Sequence, residues 1–98
     1  MTTTQSRLWD AADHLKSDED VVAYLEAAFG DGDPALIAAA LGDIARARGM
    51  TKVAADAGLA RESLYKALSP NRNPEFATVP RVMQALGLGL RVSAIRRV

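Results

Sequence analysis

Apolar positions recur at helical spacing along most of this chain, and glycines and prolines mark where one run stops and the next begins. Val21, Val22, Leu25, Ala28 and Phe29 form a first stripe, which Gly30-Asp31-Gly32-Asp33 closes. Ser17 or Asp18 can cap it, and the acidic turn Asp18, Glu19, Asp20 sets negative charge at the positive end of the helix dipole. Asp33 and Pro34 open a second helix, with the aspartate at the cap and the proline at the first helical position. Its stripe is Leu36, Ile37, Ala40, Leu41, Ile44 and Ala45, ending in Arg46, Arg48 and Gly49. This alanine-rich run predicts the main core helix, with close approach to its neighbours.

The next stretch predicts two short helices joined at Gly58. Thr51 reads as the cap of the first, with Val53, Ala54 and Ala57 on its apolar side. Gly58 enters left-handed backbone space without a Cβ clash, so it can end one helix and turn the chain into the next. Leu59 then plugs the turn into the core, and Arg61 to Leu68 run as the second helix. With Leu64 at the centre of the buried side, 100° per residue brings Ala67 and Leu68 to the same side and sends Glu62 and Lys66 outward, flanked by Ser63 and Tyr65. Two short helices in this relation are a helix-turn-helix, whose second helix enters the DNA major groove.

Beyond it, Ser69-Pro-Asn-Arg-Asn-Pro-Glu75 is a loop, with Phe76 as its expected anchor. Thr78 to Leu86 predicts a last helix, capped by Thr78, packed through Val79, Val82, Met83 and Leu86, and ended by Gly87. Leu88, Leu90 and Val92 then alternate with other residues as in a strand, with no second strand to pair with. Antiparallel pairing with the same segment of a second copy would satisfy that edge and give a two-fold dimer; a strand from another protein would serve as well. The expected fold is all-α: five helices and a short C-terminal β-strand. Residues 1–17 form an N-terminal arm expected to be partly disordered, and residues 18–98 form the domain.

Composition narrows the function. The 98 residues hold no cysteine and one histidine, His14, which reads as a surface or structural residue. No nucleophile–base pair, metal-ligand cluster or phosphate-cradling glycine loop is visible, so the expectation is a protein that is not an enzyme and needs no cofactor. No apolar run is long enough to cross a bilayer and no signal peptide opens the chain, which points to a soluble cytoplasmic protein without a membrane partner. The net charge of zero hides an asymmetry. Met1 to Ala45 carries two basic residues against nine acidic ones, a net of −7, whereas Arg46 to Val98 carries ten against three, a net of +7. A basic half containing a helix-turn-helix suggests a polyanion partner, and the acidic half suggests either solubility or a basic protein partner.

Three separated stretches, Asp31 to Met50, Gly58 to Ser69 and Asn73 to Val79, closely resemble the addiction-module antidote proteins, bacterial type II antitoxins with a lambda-repressor-like helix-turn-helix. The resemblance covers about Trp9 to Val92, although Ala60 stands where a serine usually caps the second helix. It implies a small basic toxin of the RelE/ParE type, neutralised by this chain, and repression of their shared operon.

On this reading Thr51 and Lys52 contact phosphate, while Arg61, Ser63, Tyr65 and Lys66 face the groove. Arg61 is the candidate for a guanine edge, because its fork donates to O6 and N7 together. Glu62 either accepts from a cytosine amino group or pairs with Lys66. Asn71 and Arg72 either grip phosphate or simply build the turn. Trp9, Asp18, Glu19, Asp20 and Tyr24 are the candidates for contact with the toxin, Trp9 serving otherwise to pack the arm on the body of the protein. Two alternatives remain open: a helix-turn-helix regulator without a toxin, and a toxin-binding module that no longer binds DNA.

Overall fold

The computed structural model describes Leu15, residues 17–69 and residues 75–95. Five helices lie among them: α1 (Asp18–Asp31), α2 (Pro34–Arg48), α3 (Met50–Ala57), α4 (Arg61–Ala67) and α5 (Thr78–Ala85). Helix α1 packs on α2, while α3 touches α2, α4 and α5, so the short helix α3 is the hub of the assembly. Leu41, Ile44, Leu64, Val21 and Val82 are the largest wholly buried side chains, drawn from four of the five helices. Leu15, at the end of the expected arm, is buried with them.

Two helix starts follow the local chemistry. The Ser17 hydroxyl accepts from the Asp20 N–H at 3.1 Å, and the Asp33 carboxylate accepts from the Ala35 N–H at 3.0 Å, with Pro34 at the first helical position. Two others depart from expectation. Helix α3 begins at Met50 with Gly49 before it, so Thr51 sits inside the first turn and caps nothing. Met50 is buried, and drawing it into the core starts the helix before the threonine is reached. Nor does Thr78 cap α5: the turn before that helix supplies backbone carbonyls instead, Glu75 accepting from Thr78 and Phe76 from Val79. Phe76 itself is 84% exposed and anchors nothing.

Val22, Phe29 and Leu36 are also exposed, although each belongs to an apolar stripe. The stripes of α1 and α2 are wider than the surface their neighbours can cover. The expected C-terminal strand is absent among the described residues; residues 88–95 form no ladder, and Val92 stands 99% exposed. A strand is defined by its partner, and the described residues of a single copy offer none.

Candidate nucleic-acid interface

Helices α3 and α4 are joined through a left-handed residue. Gly58 has φ 73° and ψ 31°; its N–H donates to the Ala55 carbonyl at 3.1 Å, and the Leu59 N–H reaches back to the Ala54 carbonyl at 2.9 Å. These two bonds make a Schellman motif, which uses up orphan carbonyls of α3 and aims the chain into α4. Leu59 is half-buried against the core, as expected of the residue that seats the turn.

Arg81 of α5 holds the same turn from outside the pair. Its Nη2 donates to the Gly58 carbonyl at 3.1 Å, and a Cβ built on Gly58 would lie 3.0 Å from that nitrogen. The sequence gives no hint of this contact across 23 residues, since Arg81 reads as ordinary surface charge between Pro80 and Val82. At the far end of α4, Gly42 of α2 leaves room for the chain: a Cβ there would meet the Leu68 carbonyl oxygen at 3.4 Å.

Leu64 is wholly buried, whereas Arg61, Glu62, Ser63, Tyr65 and Lys66 are all exposed. Helix α4 is thus fastened by one central residue and presents the rest of its middle to solvent. Thr51 and Lys52 are exposed at the start of α3. Asn71, Arg72 and Trp9 lie outside the described residues, as does His14.

Several of these side chains already have intramolecular partners. The Arg61 guanidinium folds back on Tyr65, donating to its hydroxyl at 3.2 Å with the carbon 5.4 Å from the ring centre. The Lys52 ammonium pairs with Asp56 at 3.0 Å, one turn on. Among the described residues Glu62 and Lys66 form no ion pair, so the expected i, i+4 bridge is not made. The exposed Lys52–Asp56 pair is worth only about 0.3–0.5 kcal/mol and an exposed cation–π contact such as Arg61 on Tyr65 about 0.5–1 kcal/mol, so neither Arg61 nor Lys52 is committed to its present position.

The acidic candidates divide. Asp18, Glu19 and Asp20 are exposed at the start of α1, Asp18 accepting from Arg48 at 3.2 Å. Tyr24 faces the other way. Its hydroxyl donates to Asp43 at 2.6 Å, and Asp43 also holds Arg46 at 2.8 Å, so it ties α1 to α2 rather than offering its hydroxyl to a partner. Burial, then the hydrogen bond and the charge of Asp43, push the Tyr24 hydroxyl up to about 12, with Arg46 acting the opposite way. Among the described residues no group of acidic or histidine side chains is placed to hold a metal ion, and no helix is long and apolar enough to cross a membrane.

Residues 5–94 match the model of a family described as "Probable addiction module antidote protein". A protein of Haemophilus influenzae, described only as an uncharacterized protein, is 50% identical over 94 residues, spanning 96% of this chain and 97% of its own length. No solved structure matches.

Proposed function

The chain belongs to the addiction module antidote family, which gives it the antitoxin part in a toxin–antitoxin pair, and from that premise we propose both how it binds operator DNA and which toxin it meets. Helices α3 and α4 act as a helix-turn-helix of the lambda-repressor type, with α4 lying in the major groove of the operator and repressing the operon that encodes the pair. The observation that carries this reading is the exposed ridge Glu62, Ser63, Tyr65 and Lys66 around a wholly buried Leu64, set in the basic half of the chain.

Thr51 and Lys52 hold phosphate, and Arg61 swings off Tyr65 to reach a guanine edge. With no Lys66 partner to hold it, Glu62 is free to accept from a cytosine amino group. Asn71 and Arg72, in the loop after α4, add phosphate contacts. Two copies joined through their C-terminal segments set the two α4 helices roughly 34 Å apart on a palindromic site. The toxin is a small basic protein of the RelE/ParE type, received at the acidic end of α1 by Asp18, Glu19 and Asp20 together with Trp9, in the cytoplasm. No enzymatic step or cofactor enters.

A gel-shift titration against the DNA upstream of the chain's own gene, run at several salt concentrations, tests the DNA-binding reading. Release of counterions from phosphate requires log affinity to fall linearly with log salt. Absence of binding at low salt, with toxin binding intact, would instead establish a toxin-binding module that has lost its DNA.

A further inference from the structure

Helix α1 and the segment after α5 enclose an open apolar groove of about 460 Å³, for which we propose one occupant: the C-terminal segment of a second copy, exchanged reciprocally. The proposal rests on the dimeric reading above and gives that dimer its contact surface.

Val22, Glu26 and Phe29, spaced i, i+4 and i+7 on α1, form one wall of the groove, and Leu88, Leu90 and Arg91 form another. Val22, Phe29 and Leu90 are exposed as they stand. Residues 88–91 form no ladder; the Leu88 N–H is spent on the Met83 carbonyl at 2.9 Å, which leaves the backbone groups of residues 89–91 for a neighbour. The segment leading out of the groove has the composition of something made to fit it. Leu90 and Val92 fall on one side of an extended chain, Val92 and Ile95 are almost wholly exposed, and the sequence runs on into Arg96 and Arg97.

Charge favours a second copy over other occupants. The α1 wall of the groove is the acidic one, with Glu26 on it and Asp18 and Glu19 on the shallow surface that continues it through Val22. The departing segment is basic. Within one copy, Glu26 and Arg91 line the same groove yet form no ion pair among the described residues, so both remain available across an interface. The apolar, acidic face of α1 and an apolar, basic segment on the same chain are complementary halves. A two-fold axis then uses each contact twice. The second copy's segment would lie antiparallel beside residues 88–91 as a two-stranded ribbon floored by α1. The strand pattern in the sequence would be fulfilled only there.

Sedimentation equilibrium of the full chain tests this. The expected result is a dimer whose dissociation constant rises at least tenfold in Val92→Asp. That residue is 99% exposed, so its replacement leaves the single copy's core untouched. Glu26→Lys and Arg91→Glu should each weaken the dimer, and the two together should restore it, a reciprocal effect that a merely structural role would not give. A chain monomeric at every concentration, a dimer indifferent to Val92→Asp, or failure of the paired reversal would overturn the proposal. So would a dimer unchanged by Phe29→Glu while toxin binding is lost, since the groove would then belong to the toxin. Salt-dependent DNA binding is read separately, so loss of the dimer contact and loss of the DNA-binding function are distinguishable outcomes.

Discussion

Replacing Gly58 by alanine probes the joint between α3 and α4 most directly. The residue sits at φ 73°, where an L side chain crowds the following carbonyl, at a cost of roughly 1–2 kcal/mol. The added Cβ would also stand 3.0 Å from the Arg81 nitrogen that donates to the Gly58 carbonyl. That nitrogen is the far end of a flexible side chain, so it moves and its hydrogen bond is lost, a further contribution of about 0.5–1.5 kcal/mol. Gly58→Ala should therefore destabilise the protein by about 1.5–3.5 kcal/mol, read as a shift of the urea midpoint followed by far-ultraviolet circular dichroism. The mechanism is separable. In an Arg81→Ala background the second contribution is already gone, so the same substitution should cost only about 1–2 kcal/mol, and the cycle should return a coupling of at least 0.5 kcal/mol. Equal costs in the two backgrounds would refute the coupling to Arg81. A cost below roughly 0.5 kcal/mol in the wild-type chain would refute the left-handed requirement itself.

Other outcomes follow from the same geometry. Leu64→Ala should destabilise by about 2–5 kcal/mol in the same urea assay, because it empties a wholly buried site shared by α4 and the core. A spectrophotometric tyrosinate titration should show Tyr24 ionising late, near 12, and Tyr24→Phe should remove that late phase. Because the folded value lies above the ordinary 10, this contribution to stability is fully present below pH 10 and is lost as the pH rises from there through about 12. In operator binding followed by gel shift, Arg61→Ala should cost about 1–3 kcal/mol and relax the preference at one base pair, whereas Lys52→Ala should weaken all sequences alike and flatten the salt slope by about one.

What the sequence made legible was what neighbouring residues decide among themselves. Ser17 and Asp33 cap because their oxygens reach N–H groups two or three residues on, and Gly58 turns because no other residue type does so freely. The inward side of α4 was legible for a similar reason: Leu64 is its single large apolar residue apart from Tyr65. Where a distant residue decides, local reasoning failed. Thr51 and Thr78 have the side chains of caps, but the burial of Met50 and the carbonyls of Glu75 and Phe76 settle those helix starts. Val22 and Phe29 belong to an apolar stripe whose inner edge alone is covered, and periodicity cannot measure the width of a neighbour. Arg81 reaches a carbonyl 23 residues away, beyond any motif. Tyr24 could have been placed inward, since it lies beside Val21 and Leu25, but its tie to Asp43 needed α2 in position.

Helix α4 is seven residues long and is pinned by Leu64, with Glu62, Ser63, Tyr65 and Lys66 standing clear of the packing. Changes at Glu62, Ser63 and Lys66 leave the burial of Leu64 as it is, so on the proposed reading the positions that would choose a DNA target lie where folding constrains them little. If α4 reads DNA as proposed, a lineage of such chains would trade one target for another by successive single replacements, each intermediate keeping the same buried Leu64.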